Sequence, residues 1–234
     1  MAITRGVGPI YIAAEAVQSN NGSLVGTTAG RSLVAVCFWL DPASNRTPTV
    51  SVSGESDMTI IAGSKFTKEP AADMSGAIFY LANNTGGGSK TITVDNGDPS
   101  GYSETAVMEY TGMDLASQPD NSTSASGTSS TATTSLTTTT ASALIVAGGL
   151  NSFAEYTAGS GYTLFGSGSL ANTLNYAEAE DQLDMGAAGA KTVAFTGFGT
   201  NWSLTTASFK ASGGAGTTPK TFTGTDSLAG GELL

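Results

Sequence analysis

Apolar positions fall along this chain in short blocks, and no block keeps a helical period. Residues 10–17, 32–40, 49–53, 58–62, 76–82, 90–94 and 105–110 read as strands in the first half. Residues 143–148, 162–165, 174–182, 191–196 and 204–210 do so in the second. Each block is rich in Val, Ile, Thr, Tyr or Phe and is bounded by Gly, Pro, Asn, Asp or Ser. Two blocks, SLVAVCFWL at 32–40 and SALIVAGGL at 142–150, are apolar without alternation, as strands buried on both faces are. Others alternate: Val193 and Phe195 share one face with Lys191, the pattern of a half-buried sandwich strand.

The blocks also repeat. TTAGRSLVAV, SDMTIIAGS, MSGAIFYLAN, GGGSKTITV and SETAVMEYTG in the first half are echoed by TTTTASALIVAG, SGYTLFGSG, LNYAEAEDQ, GAAGAKTVAF and SLTTASFKA. The expected fold class is therefore all-β: a jelly-roll-like sandwich over residues 1–212, built from pseudo-repeated halves at about 1–114 and 115–212. One larger jelly roll is expected rather than two tandem sandwiches, because each half is short for a sandwich of its own. Between the halves, residues 121–141 hold 15 Ser or Thr among 21 positions. A glycosylated stalk has that composition, but the run flows straight into an apolar strand and reads better as polar, β-branched strand and connection.

Composition removes whole classes of function. The net charge is −10, with nine Lys and Arg and no basic cluster, so neither nucleic acid nor an anionic membrane is an expected partner. No stretch is long and apolar enough for a membrane span. The absence of histidine excludes Ser-His-Asp and Cys-His catalysis and the commonest metal ligand. Cys37 is the sole cysteine, lies in an apolar strand and is expected to be a buried hydrophobe. No cofactor is expected. The N-terminal segment lacks the apolar core of a secretory signal, which points to a protein made in the cytoplasm.

Three constellations remain. Glu178 and Glu180 fall on one face of a strand, roughly 7 Å apart, within the range of a glycosidase acid pair. Alternating acids on a strand are more often a solvated face, and the chain is expected not to be an enzyme. The turn DNGD at 95–98, with Asp114, Asp120, Asp181 and Asp184, offers oxygen ligands for calcium. Turn chemistry accounts for the same residues, so no metal site is assigned. Tyr156, Tyr162 and Trp202 are candidates for a shallow sugar-stacking site, the alternative being that they cap one end of the sandwich.

Residues 213–234, GGAGTTPKTFTGTDSLAGGELL, differ from everything before them: a glycine-rich hinge followed by scattered anchors, Pro219, Phe222, Leu228, Leu233 and Leu234. Fully extended, this arm spans about 70 Å at roughly 3.3 Å per residue and is expected to dock on a partner.

The order SLVAVCFWL, TVSVS, MTIIAGS, GAIFYLANNTGGGSKTITV, VMEYTGMD, TTTTASALIVAGGL, AGSGYT and TASFKA resembles a family of phage and environmental bacterial β-sandwich proteins over about residues 10–211. The resemblance implies a lectin-like jelly roll carried on phage particles as a capsid decoration (cement) or fibre-associated protein. Its partners would be the major capsid protein or another virion protein, its location the virion, and its state a homo-oligomer, with a trimer favoured by analogy to capsid symmetry. A lectin-like carbohydrate- or receptor-binding module is the alternative. The resemblance marks no catalytic residue.

Overall fold

The computed structural model describes residues 1–14, 17–40, 46–67, 74–151, 156–169, 176–197 and 201–213. Those residues are all-β, apart from a short 3-10 turn at Ala62–Ser64. The strands of the first half are β1 (Thr4–Arg5), β2 (Ile10–Ala14), β3 (Ser19–Thr27), β4 (Arg31–Leu40), β5 (Thr49–Val52), β6 (Thr59–Ile60), β7 (Ser75–Asn84), β8 (Gly88–Asp95) and β9 (Tyr102–Thr111). Those of the second are β10 (Asn121–Gly127), β11 (Thr131–Thr138), β12 (Leu144–Asn151), β13 (Tyr156–Thr157), β14 (Thr163–Ser169), β15 (Tyr176–Gln182), β16 (Gly189–Gly197) and β17 (Trp202–Phe209).

The repeat in the sequence is a repeat in topology. In the first half β2, β9, β4, β7 and β6 form one antiparallel sheet, extended by β1 beside β9, and β3-β8-β5 form a second. In the second half β10-β17-β12-β15-β14 and β11-β16-β13 repeat that order. Numbered within a half, the order is 1-8-3-6-5 over 2-7-4. Strands 1 and 8, 2 and 7, and 3 and 6 pair, as in a chain doubled over and rolled up. The fifth strand joins the sixth instead of the fourth, which departs from the jelly-roll expectation.

Each half has its own interior. Leu33, Ala35, Cys37 and Trp39 of β4 face Val50, Val52, Ile92 and Val94 of the small sheet. Ile145, Ala147 and Leu204 face Val193 and Phe195 in the same way. The opposite faces of the two large sheets pack on one another: Val34, Val36, Phe38, Met108 and Tyr110 meet Leu144, Val146, Leu150, Ala179 and Phe209. The molecule is thus two lobes back to back, four sheets deep. The extra layer explains the non-alternating runs. β4 and β12 lie between two cores, so every side chain from Ser32 to Trp39 and from Leu144 to Asn151 is buried.

The seam between the lobes has a knob, a hole and a charged lock. Gly148 lets Phe38 approach so closely that a Cβ at Gly148 would come within 2.8 Å of its ring. At one end Asp181 of β15 accepts hydrogen bonds from Tyr110 Oη, at 2.6 Å, and Arg5 Nε, at 2.9 Å, and forms an ion pair with the Arg5 guanidinium. Its side chain is wholly buried, so the two donors replace the water it lost. Tyr80 stacks on Phe209 across the seam, with centroids 6.3 Å apart.

Candidate functional site

The acidic row on β15 holds the densest chemistry. Strand alternation divides it: Ala177, Ala179 and Asp181 look into the seam, while Glu178 and Glu180 look into the C-terminal lobe. Sequence reasoning placed both glutamates on one face correctly, but that face is not solvated; Glu178 is 3% exposed and Glu180 0%. The neighbours of Glu180 across the sheet are Ala147 and Leu164. One oxygen accepts the Gly159 N–H at 2.8 Å; the other has no hydrogen-bond partner among the described residues. Burial pushes the Glu180 carboxyl up to about 8, and the charges of Glu178 and Asp181 add to the rise, against the Gly159 N–H. It therefore holds a proton through neutral pH. An acid so placed can store a proton, but a polysaccharide has no approach to it through the described residues.

Matching strand pairs in register shows how unusual this is. Val36 pairs with Ile78 and Ala106 in the first lobe, and Val146 with Asp181 and Ala207 in the second. Glu180 therefore stands where the first lobe has Ala77, and Asp181 where it has Ile78. The lysines of the repeated GSKT and GAKT blocks also correspond. Lys90 donates to Glu55 Oε1 at 2.7 Å and Lys191 to the Met185 carbonyl at 2.6 Å. Burial raises the Glu55 carboxyl, yet Lys90, Thr85 and the Gly86 N–H outweigh it and hold Glu55 down to about 2.

Trp202 and Tyr162 do not share one surface. Trp202 is 6% exposed, donates its indole N–H to Ser129 Oγ at 3.2 Å and covers Gly127, where a Cβ would lie 2.6 Å from the ring. It pairs with Asn151 at one end of the large sheet, whereas Tyr162 precedes β14 at the other end, roughly 20 Å along the strands. Tyr156 lies in β13, opposite Gly197. Of the two readings of Trp202, burial at the end of the large sheet accords with the capping alternative. The turn before Trp202 reads as exposed in the sequence, and only the register sets the ring over Gly127.

Calcium ligands do not converge either. Asp98 pairs with Arg46 at 3.0 Å, Asp120 engages Thr139 and Lys210, Asp181 is locked to Arg5, and Asp114 and Asp184 cap local turns. Among the described residues no three acids gather around a common point.

The last feature is a pole where the N-terminus meets Ser212. The Met1 ammonium donates to the Ser212 carbonyl at 2.8 Å, Ser212 N–H to Gly112 at 2.7 Å, and Asp114 N–H to Lys210 at 2.9 Å. An open groove there is lined by Met1, Gly30, Met113, Leu115 and Gly213, among others; Met1 and Leu115 are exposed apolar side chains. The arm begins at this groove. Its anchors Pro219, Phe222, Leu228, Leu233 and Leu234 lie outside the described residues. Comparison with protein-family models and with curated proteins finds no match to the chain. Fold and site together define the class: an all-β protein of two fused sandwiches.

Proposed function

We propose that this chain is a non-catalytic virion structural protein of a phage, a capsid decoration or cement protein that bridges neighbouring shell subunits. One feature carries the reading: a double sandwich whose N-terminus is hydrogen-bonded to Ser212, after which the sequence runs on as a glycine-rich segment with five apolar or proline anchors. A block held at one pole by an extended segment suits attachment to a repeated lattice, where the arm orders on its partner. The buried acids and the missing histidine suit it too, since neither serves open-cleft catalysis. The carbohydrate-binding alternative loses its best platform with the burial of Trp202.

The test is a deletion of residues 213–234. The shortened protein is expected to keep the thermal transition and circular dichroism of the whole chain while losing sedimentation with phage particles. Undiminished co-sedimentation would refute attachment by the arm.

A further inference from the structure

Among the described residues, one long strand edge pairs with no other strand. β11 pairs with β16 along its whole length, Thr131 with Thr196 through Thr138 with Gly189, without a register shift. Its other edge meets no strand. It contains no Pro, Gly or charged residue. The other edges are blunted in ways that sheet proteins use against unwanted pairing. β3 and β14 carry register shifts. β1, β6 and β13 are two residues long and β5 four. β10 lies against the 3-10 turn, with Ser124 Oγ donating to the Lys65 carbonyl at 3.2 Å. β2 is five residues long, and its Ala13 carbonyl accepts from the Asn20 amide.

The orientation of the β11 peptides follows from two local hydrogen bonds. Ser129 Oγ donates to the Thr131 carbonyl at 2.7 Å and Asn121 Nδ2 to the Thr137 carbonyl at 3.0 Å. Odd-numbered residues therefore turn their peptide groups away from β16. The two ends of the edge are closed by these side chains, and the peptide groups of Thr133 and Ser135 stand open between them.

We propose that two copies of this chain pair antiparallel through β11, about a two-fold axis at Thr134. In that register Thr133 lies opposite Ser135 of the partner subunit, and Ser135 opposite Thr133 of the partner subunit. Both pairs exchange N–H and C=O, joining the two small sheets into one of six strands. The chain's own charge singles out a second copy as the occupant. The protein is −10 overall, yet this edge and the exposed Thr131, Thr133, Ser135, Thr137, Thr192 and Thr196 beside it are all neutral. A charged partner finds no complement there, whereas an identical neutral edge meets it without like-charge repulsion. The arrangement is two-fold, in contrast to the trimer expected by analogy, and it does not depend on the virion reading.

The test is light scattering coupled to size-exclusion chromatography over a dilution series of the full chain. Wild type is expected to pass from dimer to monomer on dilution. Thr133→Pro, which removes only an edge-facing N–H, and Ser135→Lys, which sets a like-charge pair across the axis, are expected to stay monomeric with an unchanged circular dichroism spectrum. Should Thr133→Pro fail to fold, Ser135→Lys alone decides. Thr192→Lys, on the same face but one strand inward, is expected to dimerise as wild type does. A wild type monomeric at every concentration would overturn the proposal. So would Ser135→Lys dimerising normally, or Thr192→Lys becoming monomeric along with it, which would assign the contact to the face instead of the edge.

Discussion

The two lobes share a strand order, yet they solve the same packing problem with different residues. In the first lobe Trp39 reaches into the core from β4; its counterpart in the second is Gly149. There the indole arrives from the neighbouring strand, as Trp202, whose own counterpart is Gly101. One tryptophan and one glycine have exchanged strands, and each core still holds one indole, beside Phe79 in the first and Phe195 in the second. The charged residues diverge further. The first lobe pairs two buried carboxylates with cations, Glu55 with Lys90 at 2.7 Å and Glu109 with Arg31 at 2.8 Å, and buries a third, Glu104, beside Tyr11. The second buries Glu180 with a single peptide N–H. Topology is thus set by which faces are apolar, while the filling of each core is negotiable as long as its volume is kept.

Removing the ring that defines the first core is the severest way to break this comparison. Trp39→Ala is expected to destabilise the protein by about 4 kcal/mol in urea unfolding, because no other side chain in that lobe fills the space. A loss below about 1 kcal/mol would mean that the lobe repacks.

The lobes should also answer pH in opposite senses. Glu180 has its folded pKa raised, from the ordinary 4.5 to about 8. Its contribution is complete below 4.5 and is lost as pH rises through 8, on the order of 5 kcal/mol. Glu55 has its folded pKa lowered to about 2, so its contribution is present above 4.5 and lost as pH falls toward 2. In thermal melts across pH, Glu180→Gln is expected to flatten the decline above pH 4.5, and Glu55→Gln the decline below it. Exchanged effects, or none, would contradict the assignment of these two carboxyls.

The seam supplies two further tests. Asp181→Ala strands Tyr110 and the partly exposed Arg5 and is expected to cost about 3 kcal/mol. Gly148→Ala drives a methyl group into Phe38 and Val36 and is expected to cost about 2 kcal/mol. The same change at Gly149, whose partner Leu204 faces the lobe interior instead, tests whether the effect belongs to the seam.

Much of this organisation was legible in the chain. The non-alternating runs at 32–40 and 142–150 marked the two doubly buried strands, and the repeated GSKT and GAKT blocks marked the matching lobes. Strands that face solvent were the ones missed. β3, with its Asn-Asn-Gly, reads as a turn, and β10 and β11 read only as an undivided Ser- and Thr-rich run, because their outward residues carry no hydrophobic period. The second lobe was folded into the first in the expectation because sequence periodicity shows that a strand has two apolar faces, but not which sheets cover them. The Arg5, Tyr110 and Asp181 lock was illegible for a plainer reason: its members lie 71 and 176 positions from Asp181 and carry no motif.

The central claim, that the lobes form one block through their shared seam, can be tested with the two tryptophans, one to a lobe. Trp202→Phe leaves Trp39 to report on the first lobe, and Trp39→Phe leaves Trp202 to report on the second. Fluorescence-monitored urea unfolding of each variant, beside circular dichroism on the same sample, should give a single transition on which both probes coincide. If either variant shows the tryptophan transition well separated from the circular dichroism transition, the lobes unfold independently and the seam is not what holds the molecule together.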